Sequence, residues 1–195
     1  MRRLLTIIQR TCVGRILIAG ILTLLLTVHW RAPLSAAERT ETEVQAAYLY
    51  NFAKFVTWPE QAFESPSAPV VIGIIDRDRL STTVSQTIGT NTANSRLVTV
   101  RVINPSKPDL TGCHMLYIAK AEGGSIPTLL NAAKTSPILT VSDAERFAAE
   151  GGMIGFVKID NSLKLEINHS QATQAGLRIS SKLLALAKII KSSSL

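Results

Sequence analysis

The sequence predicts a single α/β domain with three layers, in which a mixed β-sheet is flanked by helices. Between residues 41 and 142, short runs rich in β-branched residues alternate with segments of helical spacing. This alternation is typical of parallel strands joined by helices. After residue 150, two apolar runs separated by a short polar turn indicate a C-terminal β-hairpin. A final amphipathic helix is predicted to follow the hairpin.

The first predicted element is a helix over residues 41–57. Glu41 and Glu43 stand in its first turn, where carboxylates complement the helix dipole. Pro59 ends it, because the residue before a proline disfavours the helical conformation. On a helical wheel most of its large apolar side chains, including Tyr48 and Phe52, fall on one face, which is expected to cover the sheet.

Two aromatic residues of this segment lie off that face. Tyr50 points roughly opposite Tyr48, near Lys54, and Trp58 stands at the exit of the helix. Both rings either pack beneath a loop of the same chain or contact a partner, since aromatic side chains are enriched at interfaces. The sequence leaves these two alternatives open.

The sequence pattern in the middle of the chain predicts four short strands, two longer helices and one short helix. The strands are expected at residues 69–75, 97–103, 113–119 and 137–142, and the longer helices at 78–89 and 125–135. Asp143 is expected to cap a short helix over residues 144–150, closed by Gly151 and Gly152. Further on, a turn at Asn161 and Ser162 is expected to join the two strands of the hairpin.

The last segment predicts a short helix, a break at Gly176 and the amphipathic helix. One face of that last helix would carry Leu183, Leu186, Ala187 and Ile190, with the lysines off that face.

Residues 1–37 have the organisation of a secretory signal peptide. Arginines precede an uncharged apolar run over residues 16–28, and small residues suited to cleavage follow at Ala36 and Ala37. The apolar run is short for a bilayer span, which needs about 20 residues. A cleaved signal is therefore expected, with the domain occupying residues 38–195 and located in the periplasm. A retained membrane anchor is the alternative.

Removing the signal changes how the charge is interpreted. The segment carries five arginines and no acidic residue, so the 21 basic residues of the full chain fall to 16 against 14 acidic ones, a net charge of +2. No nucleic-acid partner is expected from so small an excess. Cys12 leaves with the signal, and Cys113 then has no cysteine with which to form an intramolecular disulfide.

No catalytic or metal-binding pattern emerges from the sequence. His114 and His169 lack any partner at metal-ligand spacing. Cys113 and His114 are adjacent on a predicted strand, so their side chains point to opposite faces and cannot form a dyad. The protein is therefore expected to be no enzyme and to need no cofactor or metal.

Three stretches resemble the YfiR family of periplasmic proteins. They are "AAYLYNFAKFVTWP", "CHMLYIA" and "GGMIGFVKIDNSLKLEIN" with the following "AGLRISSKLLALAKII". The resemblance runs from about residue 41 to residue 190, nearly the whole of the expected mature chain. It implies a non-enzymatic regulator that binds the periplasmic sensor domain of an inner-membrane diguanylate cyclase and represses it. Cyclic-di-GMP signalling, which favours biofilm, would then be lowered.

The resemblance also bears on partners and on the cysteine. It implies a second partner, an outer-membrane lipoprotein that sequesters the regulator, and a homodimer is left open. Family members can carry a cysteine on the first strand that pairs with the one matching Cys113. Here Gly73 stands at that place, so the family's redox staple is absent.

Four residues are the candidates for partner contact: Tyr50, Trp58, Arg178 and Ser180. Arg178 follows the break at Gly176 and could present its guanidinium outward. A solvated surface charge is the plainer interpretation of Arg178. The alternative function is a periplasmic sensor or solute-binding module for a small ligand, which would need a closed pocket with convergent polar groups.

Overall fold

The computed structural model of the protein describes residues 40–75, 80–160 and 162–191. The predicted signal peptide lies outside these residues. Helix α1 (Glu41–Phe55) starts at a capping box, in which the Thr40 hydroxyl accepts from the Glu43 backbone N–H and the Glu43 carboxylate accepts from that of Thr40. The predicted first helix is thus confirmed, although it ends two residues early because the chain turns into a strand at Val56.

The remaining elements follow in chain order. They are β1 (Val56–Thr57), β2 (Val70–Ile75), α2 (Leu80–Ile88), β3 (Thr92–Ala93), β4 (Arg96–Val102), β5 (Met115–Ile118), α3 (Ile126–Ala133), β6 (Leu139–Ser142), β7 (Ile154–Ile159), β8 (Ser162–Ile167), α4 (His169–Gln174), β9 (Arg178–Ile179), α5 (Ser181–Leu184) and β10 (Ala187–Ile189), with 3-10 turns at Glu60–Ala62 and Lys120–Ser125.

Eight of the described strands form one mixed sheet in the order β10-β8-β7-β6-β5-β2-β4-β3. Neighbours from β7 through to β4 run parallel, and so do β10 and β8. The pairs β7–β8 and β3–β4 are antiparallel. The predicted α/β class and mixed sheet are confirmed, and β7 with β8 is the predicted hairpin.

Helices cover both faces of this sheet. Alternate residues of β5 point to opposite sides, so Met115 and Tyr117 pack with α1 and α2, whereas Leu116 and Ile118 pack with α3. On the α1 side, the rings of Tyr48, Phe52 and Phe156 have centroids 5.8–6.0 Å apart. These contacts confirm that the main apolar face of α1 covers the sheet.

The prediction of a short helix at residues 144–150 is wrong. The segment is a series of turns in which Arg146 has a φ of 58°, a left-handed conformation that does not continue a helix. Asp143 does not cap it, because its carboxylate accepts from the backbone N–H of Lys120 across the ends of β5 and β6.

The prediction of a C-terminal amphipathic helix is also wrong. Helix α5 has four residues, and the chain then forms β10, which pairs with β8 from Ala187 to Ile189. Leu186 is 71% exposed and Ile189 50% exposed, so the predicted apolar face does not form. The free edge of β8 supplies backbone partners that outweigh the helix preference of Ala, Leu and Lys.

Smaller boundaries also differ from the predictions. The hairpin turn lies one residue earlier than expected, since Ile159 pairs with Ser162. Strand β5 begins at Met115 rather than at Cys113. In the described part of the chain, no helix combines the length and the apolar character needed to cross a membrane.

Candidate partner-binding surface

A two-stranded ribbon brings together a segment near the start of the domain and a segment near its end. Strand β1 pairs antiparallel with β9, so Val56 lies opposite Ile179 and Thr57 opposite Arg178. The backbone N–H of Ser180 extends this pairing by donating to the Phe55 carbonyl, 2.9 Å away. The structure thereby brings together the segment that follows α1 and the segment that follows Gly176.

The ribbon has one buried face and one exposed face. Val56 and Ile179 are buried in the main core, whereas Thr57 and Arg178 are exposed. Among the described residues none forms an ion pair or hydrogen bond with the Arg178 guanidinium. A charged group with five donors therefore faces solvent on a strand that is held by its pairing with β1.

Ser180 lies beside this face but has a structural role of its own. Its hydroxyl oxygen accepts from the backbone N–H of Lys182, 3.2 Å away, and so caps α5. Gly176, with a φ of 77°, provides the left-handed turn that ends α4 and directs the chain into β9.

Tyr50 lies on the side of α1 that faces β3. Its hydroxyl donates to the Thr92 carbonyl at 3.0 Å, and the Lys54 Nζ stands 5.4 Å from its ring centroid. The ring is half-buried against the core. Part of the ring therefore packs within the chain, and part stays accessible.

Trp58 is held in the interior. Only 6% of the residue is exposed, and its indole N–H donates to the His114 carbonyl at 2.8 Å. Arg178 is thus the most available of the four candidate contact residues, and Trp58 the least. Their assignment to a partner stays a prediction.

Thr57 completes the exposed face of the ribbon. It was not predicted from the sequence, because strands of two residues leave no periodic signal.

Cys113 and His114 point to opposite sides, as predicted. Cys113 packs with the α3 side of the core, and its thiol donates to the Met115 carbonyl at 2.9 Å. Burial raises the pKa of the thiol, with the nearby Arg101 acting in the other direction. A β-carbon on Gly73 would stand 2.8 Å from the Cys113 Sγ.

A groove with a volume of about 730 Å³ lies at the carboxyl ends of β5 and β6. Charged side chains line it, and several neutralise one another: Lys158 bonds to Glu41 at 2.8 Å and Lys188 to Glu166 at 2.9 Å. Within the described ranges, no group of three His, Cys, Asp or Glu residues is placed to hold a metal. The groove therefore offers an open, internally paired surface.

Comparison with known proteins adds one result. A family model described as YfiR/HmsC-like matches residues 42–188, a range that contains both strands of the ribbon. No curated protein matches the chain.

Proposed function

The chain belongs to the YfiR/HmsC-like family, a family of periplasmic regulators of diguanylate cyclase activity, and from that premise we propose that it represses one such cyclase by direct binding. The proposed target is the periplasmic sensor domain of an inner-membrane diguanylate cyclase. Binding there would lower cyclic-di-GMP inside the cell. Family members are regulators rather than enzymes, which agrees with the part proposed here.

The observation that carries the proposed binding surface is the pairing of β1 with β9. The residues after α1 and the residues after Gly176 belong to the two longest family motifs, and they meet opposite each other at Thr57 and Arg178. The antiparallel pairing of β1 with β9 fixes the position of the exposed side chains before any partner arrives. Such preorganisation reduces the entropy that binding would otherwise cost.

The exposed guanidinium indicates the chemistry of the partner surface. Arginine is enriched in the residues that dominate binding energy, and its planar fork matches a carboxylate with two parallel hydrogen bonds. We therefore expect Arg178 to face an acidic side chain or a cluster of carbonyl groups on the sensor domain. A second partner, an outer-membrane lipoprotein, would compete for the regulator and so relieve repression.

The test is the cyclic-di-GMP content of a strain that lacks the gene. Deletion is expected to raise cyclic-di-GMP, and the wild-type gene restored in trans is expected to lower it again. Unchanged cyclic-di-GMP after deletion would overturn the proposed repression.

The groove at the carboxyl ends of β5 and β6 favours a second candidate function, a sensor for a small polar ligand. Its volume suits such a ligand. However, the pairing of Lys158 with Glu41 and of Lys188 with Glu166 leaves fewer groups to converge on one. Stabilisation of the protein by a small molecule in a thermal-shift screen, lost in Lys120→Ala, would favour this alternative.

A further inference from the structure

The two-stranded ribbon is a sheet of its own. Among the described strands, β1 and β9 pair with each other and with no strand of the eight-stranded sheet. Each strand of the ribbon has only two residues. A pair of strands without further packing is at best marginally stable in water. The position of the ribbon on the domain must therefore come from side chains and from the segments that adjoin it.

Trp58, the residue that follows β1, provides such a link. Its indole N–H donates to the His114 carbonyl at 2.8 Å. The same carbonyl accepts from the Leu139 backbone N–H at 2.9 Å, where β5 and β6 begin to pair. A carbonyl oxygen has two lone pairs and can serve both donors. The indole is thus bound to a backbone atom that two central strands of the large sheet hold in place.

The register of the ribbon continues into the buried residues beside it. One residue beyond the last pair, Trp58 comes opposite Leu177, and both side chains are buried in the same core cluster. One residue further, Pro59 comes opposite Gly176. A β-carbon on Gly176 would stand 3.9 Å from the Pro59 Cγ, so the two segments stay close there as well. The ribbon is therefore anchored at the end where β1 leaves and β9 enters.

The chain beyond Trp58 is attached to His114 by separate contacts. The His114 Nε2 lies 3.1 Å from the Ala62 carbonyl oxygen. The Phe63 ring stacks on the same imidazole, with ring centroids 4.3 Å apart and an interplanar angle of 22°. The Arg96 guanidinium carbon lies 3.8 Å from the Phe63 centroid, so Phe63 is enclosed between Arg96 and His114. Loss of the indole hydrogen bond alone would leave these contacts in place.

We propose that Trp58 is a positioning residue for partner binding, which fixes the exposed face of the ribbon and above all Arg178. The inference rests on the proposed function, because it concerns the surface that would meet the sensor domain. Trp58 is 6% exposed and offers a partner little surface, but it is the chain neighbour of Thr57, which pairs with Arg178. Holding these side chains in place before binding reduces the entropy that binding costs.

Amide exchange tests the anchoring without any partner. The Ser180 N–H donates to the Phe55 carbonyl across the ribbon. Trp58→Phe keeps a buried ring but removes the indole N–H, and is expected to lower the protection of Ser180 roughly tenfold. Phe147→Leu is the matched control, because it trims a buried ring on the α3 side of the sheet. It is expected to lower the protection of Leu116 in β5 and to leave that of Ser180 unchanged.

Binding of the sensor domain tests whether the anchoring acts through Arg178. In the otherwise wild-type protein, Trp58→Phe is expected to weaken binding roughly tenfold, whereas Phe147→Leu is expected to leave it unchanged. In the Arg178→Ala protein, Trp58→Phe is expected to cost less than about twofold, because the side chain to be positioned is gone. A direct contact between Trp58 and the partner would cost the same factor in both proteins.

The two measurements separate this inference from the proposed function. If the wild-type protein does not bind the sensor domain, the proposed function fails, and Ser180 exchange still decides whether Trp58 anchors the ribbon. The inference is overturned if Trp58→Phe leaves Ser180 protection at its wild-type value, or if Phe147→Leu lowers that protection equally. It is also overturned if Trp58→Phe weakens binding by the same factor with and without Arg178.

Discussion

Gly73 on β2 lies close to Cys113 in the loop before β5, so that a β-carbon on Gly73 would stand 2.8 Å from the Cys113 Sγ. The cysteine pairing that the family resemblance implied is thus geometrically available but lacks one sulfur. Ile103 also contacts the space that such a β-carbon would occupy. Its side chain would have to move to admit a second cysteine.

Gly73→Cys is expected to form a disulfide with Cys113 under oxidising conditions. The bridge would close a loop of about 40 residues and stabilise the fold by roughly 2–4 kcal/mol, less the cost of moving Ile103. Thermal unfolding with and without dithiothreitol measures the gain, and Gly73→Ser controls for the added bulk. Two titratable thiols after oxidation of the variant would contradict the prediction.

The wild-type protein is expected to have the same melting temperature with and without reductant. Cys113 is free and buried, so dithiothreitol has no intramolecular bridge to reduce. Differential scanning calorimetry of the exported protein makes the comparison. A clear drop in melting temperature with dithiothreitol would show that a disulfide supports this fold.

Arg96→Met is expected to loosen residues 58–68 and to destabilise the fold by about 1–3 kcal/mol. The change removes two hydrogen bonds to backbone carbonyls and the guanidinium that encloses Phe63. Urea unfolding measures the loss, and hydrogen exchange locates it. Arg146→Met is the matched control, because Arg146 is exposed and, within the described residues, forms an ion pair with Glu150 alone, a contact worth about 0–1 kcal/mol. Equal losses in the two variants would refute the role given to Arg96.

Asn168→Ala is expected to cost about 1–3 kcal/mol of unfolding free energy. The buried Asn168 side chain donates to the Ala148 carbonyl and accepts from the Gln171 N–H at the start of α4. Asn131→Ala on the exposed side of α3 serves as the control, with an expected change within about 0.5 kcal/mol. Similar urea midpoints for the wild type and Asn168→Ala would contradict the prediction.

Local patterns predicted the sheet and its first helix well. The runs of β2, β4 and β6 are strands because each is short and rich in β-branched residues, and α1 has both a cap and an apolar face. Local propensity failed where tertiary pairing decides the conformation. Ala187–Ile189 would suit a helix, yet it pairs with β8 because that edge has unsatisfied backbone groups.

The candidate surface was predictable only in part. The exposure of Arg178 follows from the glycine break before it, whereas its position opposite Thr57 depends on two two-residue strands about 120 positions apart. The contacts of His114 with Val71 and Ala62 likewise join distant segments through the backbone, and a backbone partner leaves no trace in residue type. The dense aromatic stretch after residue 46 therefore predicted a core helix but not the segment that follows it.

The most direct test of the proposed repressor is retention of the cyclase's periplasmic sensor domain by purified, folded variants. Wild type and Arg146→Ala are expected to bind alike. Arg178→Ala is expected to bind roughly 30-fold or more weakly, since an arginine that dominates an interface contributes about 2 kcal/mol or more. Tyr50→Ala is expected to weaken binding as well. Wild-type binding by both Arg178→Ala and Tyr50→Ala would contradict the proposed surface.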